Sequence, residues 1–144
     1  MTSKAILLVE DNADDVELTL RAFSRSTIHP QIHVARDGSE ALAALIGSEM
    51  QPQATTLPAL VLLDLKLPGL SGFDVLRVLR AHVRTRMLPV TILTSSTEPI
   101  DLVTGYGLGA NSYVRKPGSF AELLTVTHQI ATYWLQLNET PSQR

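Results

Sequence analysis

The sequence predicts a doubly wound α/β domain built around a five-stranded parallel sheet. Short apolar segments recur at residues 5–9, 31–35, 59–64, 89–94 and 111–115. Three of these segments are continuous rather than alternating, which is typical of strands buried on both faces of a parallel sheet. Segments with a helical pattern lie between them, and strand–helix alternation repeated five times favours this class.

The intervening segments carry the signals of helices. In the first of them, Val16 and Phe23 share one face, Asn12 supplies an N-cap, and Asp15 lies three residues further on. The second is rich in residues that favour helix formation, and the fourth contains glycine. The predicted helices span residues 13–26, 38–49, 71–84, 99–108 and 119–138, of which the last is the longest.

Composition narrows the class of protein. Apolar residues make up 44% of the chain and charged residues 18%, as in a globular domain. A net charge of −2 gives no electrostatic support for nucleic-acid binding, and the absence of cysteine excludes disulfides and thiolate chemistry. We expect a single cytoplasmic domain over residues 1–144, with its core at about 4–138 and with no membrane insertion.

Reactive side chains follow the ends of the predicted strands. Glu10 and Asp11 come after the first strand, Asp64 after the third and Lys116 after the fifth, while Thr94 ends the fourth. Sites in open parallel sheets form at the carboxyl ends of the strands, near the point where the strand order reverses. We therefore expect these side chains to share one edge of the sheet.

This set of side chains indicates phosphate chemistry. Crowded carboxylates raise each other's pKa unless a cation neutralises them, and Mg²⁺ is a hard cation that prefers oxygen ligands. A lysine and a hydroxyl offset charge on phosphoryl oxygens, and the Asp64 carboxylate can itself form an acyl phosphate. Taken singly, each residue also fits a solvated helix start, a loop hydroxyl or a surface lysine. Their common position at the strand ends favours the reactive interpretation.

Four segments resemble the receiver domain of two-component response regulators. They are "LLVEDNADD", "LVLLDLKLPGLSGFDVL", "PVTILTSS" and "GANSYVRKP", which occur in the family's order. The resemblance implies a flavodoxin-like (βα)5 fold with strand order 2-1-3-4-5. It also implies that Asp64 accepts a phosphoryl group from a sensor histidine kinase, that Lys116 binds this group, and that Thr94 and Tyr113 form the switch.

The same resemblance implies a set of metal ligands. Asp11 and Asp64 would bind Mg²⁺ or Mn²⁺ directly, the Lys66 carbonyl would be a third protein ligand, and Glu10 would act through water. The peptide bond between Lys116 and Pro117 is expected to be cis, since the cis form costs little free energy before proline.

A narrower resemblance is to the single-domain regulators that accompany bacterial phytochrome kinases. It depends on "ADDVELTLRAF", on the long loop before the third strand and on "TVTHQIATYWLQL". It implies a phytochrome-type kinase as partner and no output domain. The last predicted helix carries two apolar stripes, which consist of Leu123, Ile130, Trp134 and Leu137 and of Phe120, Leu124, Ala131 and Leu135. One stripe suffices for docking, so the second favours a homodimer through helix 4, strand 5 or helix 5. The alternative is that Trp134 only covers the domain's own edge.

Other functions remain as alternatives. A degenerate receiver would bind partners without being phosphorylated. A flavin or nucleotide binder on a similar fold would need a phosphate-cradling loop after the first strand, where this chain has "VEDNADD". A hydrolase that turns over an aspartyl phosphate would need a substrate pocket, for which no insertion is evident. We therefore expect no enzyme beyond a domain that promotes its own phosphorylation and its slow loss.

Overall fold

The computed structural model describes residues 4–47 and 56–141. Five parallel strands form one sheet in the order β2-β1-β3-β4-β5, which confirms the predicted fold class and strand order. The strands are β1 (Ala5–Val9), β2 (Gln31–Ala35), β3 (Leu60–Leu63), β4 (Val90–Thr94) and β5 (Ser112–Arg115). The helices are α1 (Ala13–Ser24), α2 (Gly38–Leu45), α3 (Gly72–Ala81), α4 (Pro99–Gly107) and α5 (Phe120–Thr132), and a π-helical turn (Tyr133–Leu137) follows α5.

Two hydrophobic cores lie on opposite faces of the sheet. Along β3, Val61 and Leu63 belong to one core, and Leu60 and Leu62 belong to the other. Side chains of α2 and α3 complete the first core, and side chains of α1 and α5 complete the second. Because both faces are covered, the strand is a continuous apolar run, as the sequence pattern indicates.

The strand order reverses between β1 and β3. The register places Val9 opposite Leu63, and it extends one residue further because the Asp64 N–H donates to the Val9 carbonyl at 3.1 Å. On the other side of β1, the Glu10 N–H donates to the Ala35 carbonyl at 3.0 Å. These backbone hydrogen bonds fix both acidic residues at the carboxyl edge of the sheet.

The C-terminal helix differs from its prediction. The α-helix ends at Thr132, and the π-helical turn replaces its predicted last residues. Members of both predicted apolar stripes pack on the same core, since Ile130 and Trp134 lie there with Ala131 and Leu135. Trp134 therefore covers the domain's own core, as in the alternative interpretation of this helix. Among the described residues, no helix is long and apolar enough to cross a membrane.

Helix α3 begins with a reciprocal capping box. The Ser71 hydroxyl accepts from the Asp74 N–H at 3.2 Å, and the Asp74 carboxylate accepts from the Ser71 N–H at 3.0 Å. These hydrogen bonds lower the pKa of Asp74 below its usual value of 3.8. Because this helix follows the loop that carries Asp64, its first turn also sets the geometry of the site.

We predict that Asp74→Asn lowers the stability of the fold at neutral pH. The folded state favours the charged carboxyl, so its contribution is present above pH 3.8 and is lost as the pH falls through the lower pKa of the folded state. The difference in melting temperature between wild type and variant should therefore shrink in the acid range. Thermal unfolding followed by circular dichroism at a series of pH values measures it.

The matched control is Glu122→Gln, at the third position of α5. The Glu122 N–H bonds to the Ser119 hydroxyl at 3.2 Å, but Glu122 is not part of a capping box. If the difference in melting temperature between wild type and Asp74→Asn stays constant down to low pH, the charged Asp74 carboxyl does not stabilise the fold as proposed.

Candidate functional site

Three carboxylates meet at the edge of the sheet where the strand order reverses. Glu10 and Asp11 follow β1, and Asp64 follows β3. One oxygen from each lies within 4.8 Å of the others. Glu10 is 3% exposed and Asp64 is 7% exposed, whereas Asp11 is open to solvent. The cluster predicted from the strand ends is therefore assembled, with two of its members buried.

Lys116 reaches this cluster from the loop after β5. Its Nζ lies 2.5 Å from Glu10 Oε1, 3.0 Å from Asp64 Oδ2 and 2.9 Å from Asp15 Oδ2. Its backbone N–H donates to the Thr94 carbonyl at 2.8 Å, which ties the loop to the end of β4. One ammonium group thus joins carboxylates from three separate elements of the chain.

The electrostatics of this group follow from burial and pairing. Burial raises the pKa of Glu10 to about 7; the hydrogen bond from Lys116 opposes this rise, and the charge of Asp64 adds to it. Burial alone would lower the pKa of Lys116, but hydrogen bonds to Asp15, Glu10 and Asp64 outweigh it and raise that pKa above 10.5. The lysine is therefore charged at neutral pH, and Glu10 loses its proton less readily than an exposed carboxyl group.

The hydroxyl end of the site connects to α4. Thr94 is fully buried at the end of β4, and its Oγ1 accepts from the Ser96 N–H at 3.4 Å. The Ser96 hydroxyl donates to Asp101 Oδ2 at 2.5 Å, which links this loop to the first turn of α4. The Tyr113 hydroxyl, from β5, donates to the Ser96 carbonyl at 3.4 Å. Thr94 and Tyr113 are therefore joined through one residue, Ser96.

The loop after β3 is shaped by a close approach of two backbones. A Cβ atom on Gly72 would lie 2.2 Å from the Asp64 carbonyl oxygen, so only glycine fits there. The Gly72 N–H donates to the Leu65 carbonyl at 2.9 Å. Within this loop, the Lys66 N–H reaches Asp64 Oδ1 at 3.4 Å, and the Lys66 side chain is exposed.

At the site, the structure departs from the sequence-based expectations at two points. Across residues 4–47 and 56–141 it contains no cis peptide bond, so the expectation for Lys116–Pro117 is wrong and the bond has the intrinsically favoured trans form. Asp15 is a site residue that the sequence reasoning missed. The only signal was an acidic residue one turn after the Glu10–Asp11 pair, and we interpreted it as part of a helix start.

The donor set fits a hard divalent cation. Glu10, Asp11 and Asp64 offer only carboxylate oxygens, the ligands that Mg²⁺ and Mn²⁺ accept, and two of them are buried with one lysine to balance them. A divalent ion would offset the remaining negative charge.

Comparison with known proteins decides the family. A family model described as the response regulator receiver domain matches residues 6–128. The chain belongs to this family. Probable methanogenesis regulatory protein FilR2 of Methanothrix harundinacea is 42% identical over 136 residues, which cover 94% of this chain and 86% of that protein. Response regulator Rcp1 of Synechocystis is 32% identical over 139 residues, which cover 96% and 94%.

Solved structures of two regulators are also similar. The phosphorylated cyanobacterial phytochrome response regulator RcpA matches with a TM-score of 0.84 at 31% identity, over 98% of this chain and 100% of RcpA. The Mn²⁺-bound form of Rcp1 matches with a TM-score of 0.84 at 33% identity, over 97% and 100%. The family, the fold and the similarity to phytochrome response regulators agree with the resemblance seen in the sequence.

We predict that Gly72→Ala destabilises the domain. The added methyl group must displace the backbone of Asp64 or of the loop, and overpacking of this kind costs about 1–3 kcal/mol. Urea unfolding followed by circular dichroism measures the change in the free energy of unfolding.

Gly107→Ala is the matched control at the end of α4. A Cβ atom there meets nothing within 4 Å, so alanine should be neutral or slightly stabilising. Equal stabilities for the two variants would contradict the close packing assigned to Gly72.

Proposed function

We propose that this receiver domain accepts a phosphoryl group on Asp64 from a phosphohistidine of a sensor histidine kinase. The observation that carries the proposal is the contact of Lys116 Nζ with the Asp64 carboxylate at 3.0 Å, beside two further carboxylates. This arrangement gives a nucleophile, a cation for the phosphoryl oxygens and a metal-binding donor set at one edge of the sheet.

The chemistry follows from these atoms. An oxygen of Asp64 attacks phosphorus, the bond from phosphorus to the histidine nitrogen breaks, and its electron pair stays on the imidazole. Lys116 donates a hydrogen bond to a phosphoryl oxygen, and the Thr94 hydroxyl donates to another. Asp11, Asp64 and the Lys66 carbonyl would hold Mg²⁺ or Mn²⁺, with Glu10 acting through water. When bound there, the ion would supply positive charge that offsets the charge of the phosphoryl group.

The response to phosphorylation is a shift between two arrangements of the α4–β5–α5 face. The phosphoryl group attracts the Thr94 hydroxyl, and the loop through Ser96 follows. Because the Tyr113 hydroxyl bonds the Ser96 carbonyl, movement of this loop releases the ring and opens space for it to turn inward. The start of α4 moves with the loop through Asp101.

The partner that we propose is a histidine kinase of the bacterial phytochrome type, acting in the cytoplasm. Support comes from the similarity to RcpA, a cyanobacterial phytochrome response regulator, over nearly the whole chain. The alternative of an unphosphorylated interaction module is less favoured, since the residues for phosphorylation are all present and Lys116 already contacts the acceptor. We expect the acyl phosphate to hydrolyse slowly on the domain itself.

We predict that Asp64→Asn abolishes phosphorylation. The amide is a poor nucleophile, so a small phosphodonor such as acetyl phosphate with Mg²⁺ should modify the wild type and not the variant. Intact-protein mass spectrometry measures the added phosphate.

The control is Asp14→Asn, which removes an exposed carboxylate from the first turn of α1 and should leave phosphorylation unchanged. Chelation of the metal with EDTA should stop the reaction in the wild type. Phosphate retained on Asp64→Asn would reject the acceptor assignment.

We also propose a homodimer through α4. Helix α4 exposes Ile100 (66%), Val103 (68%) and Tyr106 (51%), an apolar face of the kind found at interfaces. Trp134 does not contribute to the argument, because it packs on the domain's own core.

We predict that Val103→Asp prevents this dimer. The wild type should sediment as a dimer at micromolar concentration, whereas a charge on the apolar face should give a monomer. Val83→Asp, at a valine that is 73% exposed outside α4, should remain dimeric. A wild-type monomer both with and without phosphate would remove the dimer proposal.

A further inference from the structure

We propose that Asp15 is a positioning residue that holds the Lys116 ammonium over Asp64 for phosphoryl transfer. The proposal rests on the proposed function of Asp64 and names a residue of α1 that acts through the lysine. The Asp15 carboxylate lies 2.9 Å from Lys116 Nζ, as close as an ordinary charge-assisted hydrogen bond.

The three hydrogen-bond donors of the lysine match its three carboxylate partners. An ammonium group has three N–H donors, and here they meet Glu10, Asp15 and Asp64. Two of these contacts fix the rotation of the group, and the third donor then points at the acceptor. When Asp64 is phosphorylated, that third donor is already directed at the phosphoryl oxygens.

Asp15 is itself held in a fixed place. Its backbone N–H donates to the Asn12 side chain at 3.0 Å, and the next residue, Val16, is buried. Asp15 and Lys116 line a cleft of about 140 Å³ between α1 and the loop after β5. The lysine side chain is only 18% exposed, whereas the Asp15 side chain is 40% exposed.

This difference in exposure decides whether Asp15 helps or hinders the reaction. Its charge is partly screened by water and is paired with the lysine, so it adds little repulsion to an incoming phosphoryl group. Loss of the Asp15 contact leaves Glu10 as the one carboxylate besides the acceptor that holds the ammonium, so the orientation of the group is less well fixed. We therefore expect positioning to outweigh repulsion, so that removal of Asp15 slows the reaction.

The experiment measures the phosphorylation rate with acetyl phosphate and saturating Mg²⁺ in Asp15→Ala, Asp15→Asn and Asp14→Ala. Poorer alignment of the Lys116 ammonium with the phosphoryl oxygens in the transition state should slow Asp15→Ala about three- to tenfold. Asp15→Asn keeps an acceptor oxygen and should lie between Asp15→Ala and wild type. Asp14→Ala removes a charge from the same helical turn, away from the lysine, and should match the wild type.

A double-mutant cycle separates action through the lysine from a general effect of charge or folding. In a Lys116→Met background, Asp15→Ala should change the rate no further, and Mn²⁺ affinity measured by calorimetry should match between wild type and Asp15→Ala. The proposal is overturned if Asp15→Ala is as fast as Asp14→Ala or faster, if its effect persists without the lysine, or if it weakens Mn²⁺ binding enough to account for the slower rate.

The controls also keep this proposal separate from the proposed function. A wild type that takes no phosphate, or an Asp64→Asn variant that does, rejects the function and the inference together. A wild type that is phosphorylated on Asp64 with no difference between the Asp15 and Asp14 variants rejects the inference alone.

Discussion

The ammonium of Lys116 is the interaction that makes the rest of the site possible. Glu10 and Asp64 are nearly buried, and two carboxylates that close would repel without a cation. Because these groups are buried, the attraction between Lys116 and the two carboxylates is stronger than that of the exposed ion pair of Glu17 and Arg21 on α1. That exposed pair contributes about 0.3–0.5 kcal/mol at most. Burial, with the charge of Asp64 adding to it, raises the pKa of Glu10 even beside the lysine. A divalent cation would complete the balance.

The sheet topology supplies the rigidity on which this electrostatic arrangement depends. Because the order reverses between β1 and β3, the ends of two adjacent buried strands present Glu10 and Asp64 side by side. Backbone hydrogen bonds extend the ladder to both residues, so their backbones are fixed at neighbouring positions of the sheet edge. The lysine reaches them from β5, two strands away from β3, and its backbone is tied to the end of β4. The fold therefore places two carboxylates side by side, and a neighbouring cation relieves their repulsion.

The sequence predicts the site residues that follow strand ends. It does not predict the residues whose position depends on how a helix is rotated about its axis. Glu10, Asp64 and Thr94 could be placed because each ends or follows a buried apolar run, and Lys116 could be placed because it follows the predicted fifth strand. Asp15 could not, because the first turn of α1 contains two adjacent acids and only packing determines which one faces the lysine. The two apolar stripes of the last helix were ambiguous for the same reason. The trans bond before Pro117 is likewise invisible in sequence, since proline permits both forms.

The anchoring of the helices indicates which one can move. The N-cap side chain accepts a hydrogen bond from the helix backbone in α1, α2, α3 and α5, whereas Glu98, the N-cap residue of α4, makes no such hydrogen bond. Helix α4 also leaves its apolar side chains exposed, so fewer buried contacts resist its displacement. The first turn of α4 is held by the hydrogen bond between Ser96 and Asp101, and Ser96 lies in the loop that directly follows Thr94. A displacement at Thr94 would therefore act, through Ser96 and Asp101, on the helix with the fewest buried residues.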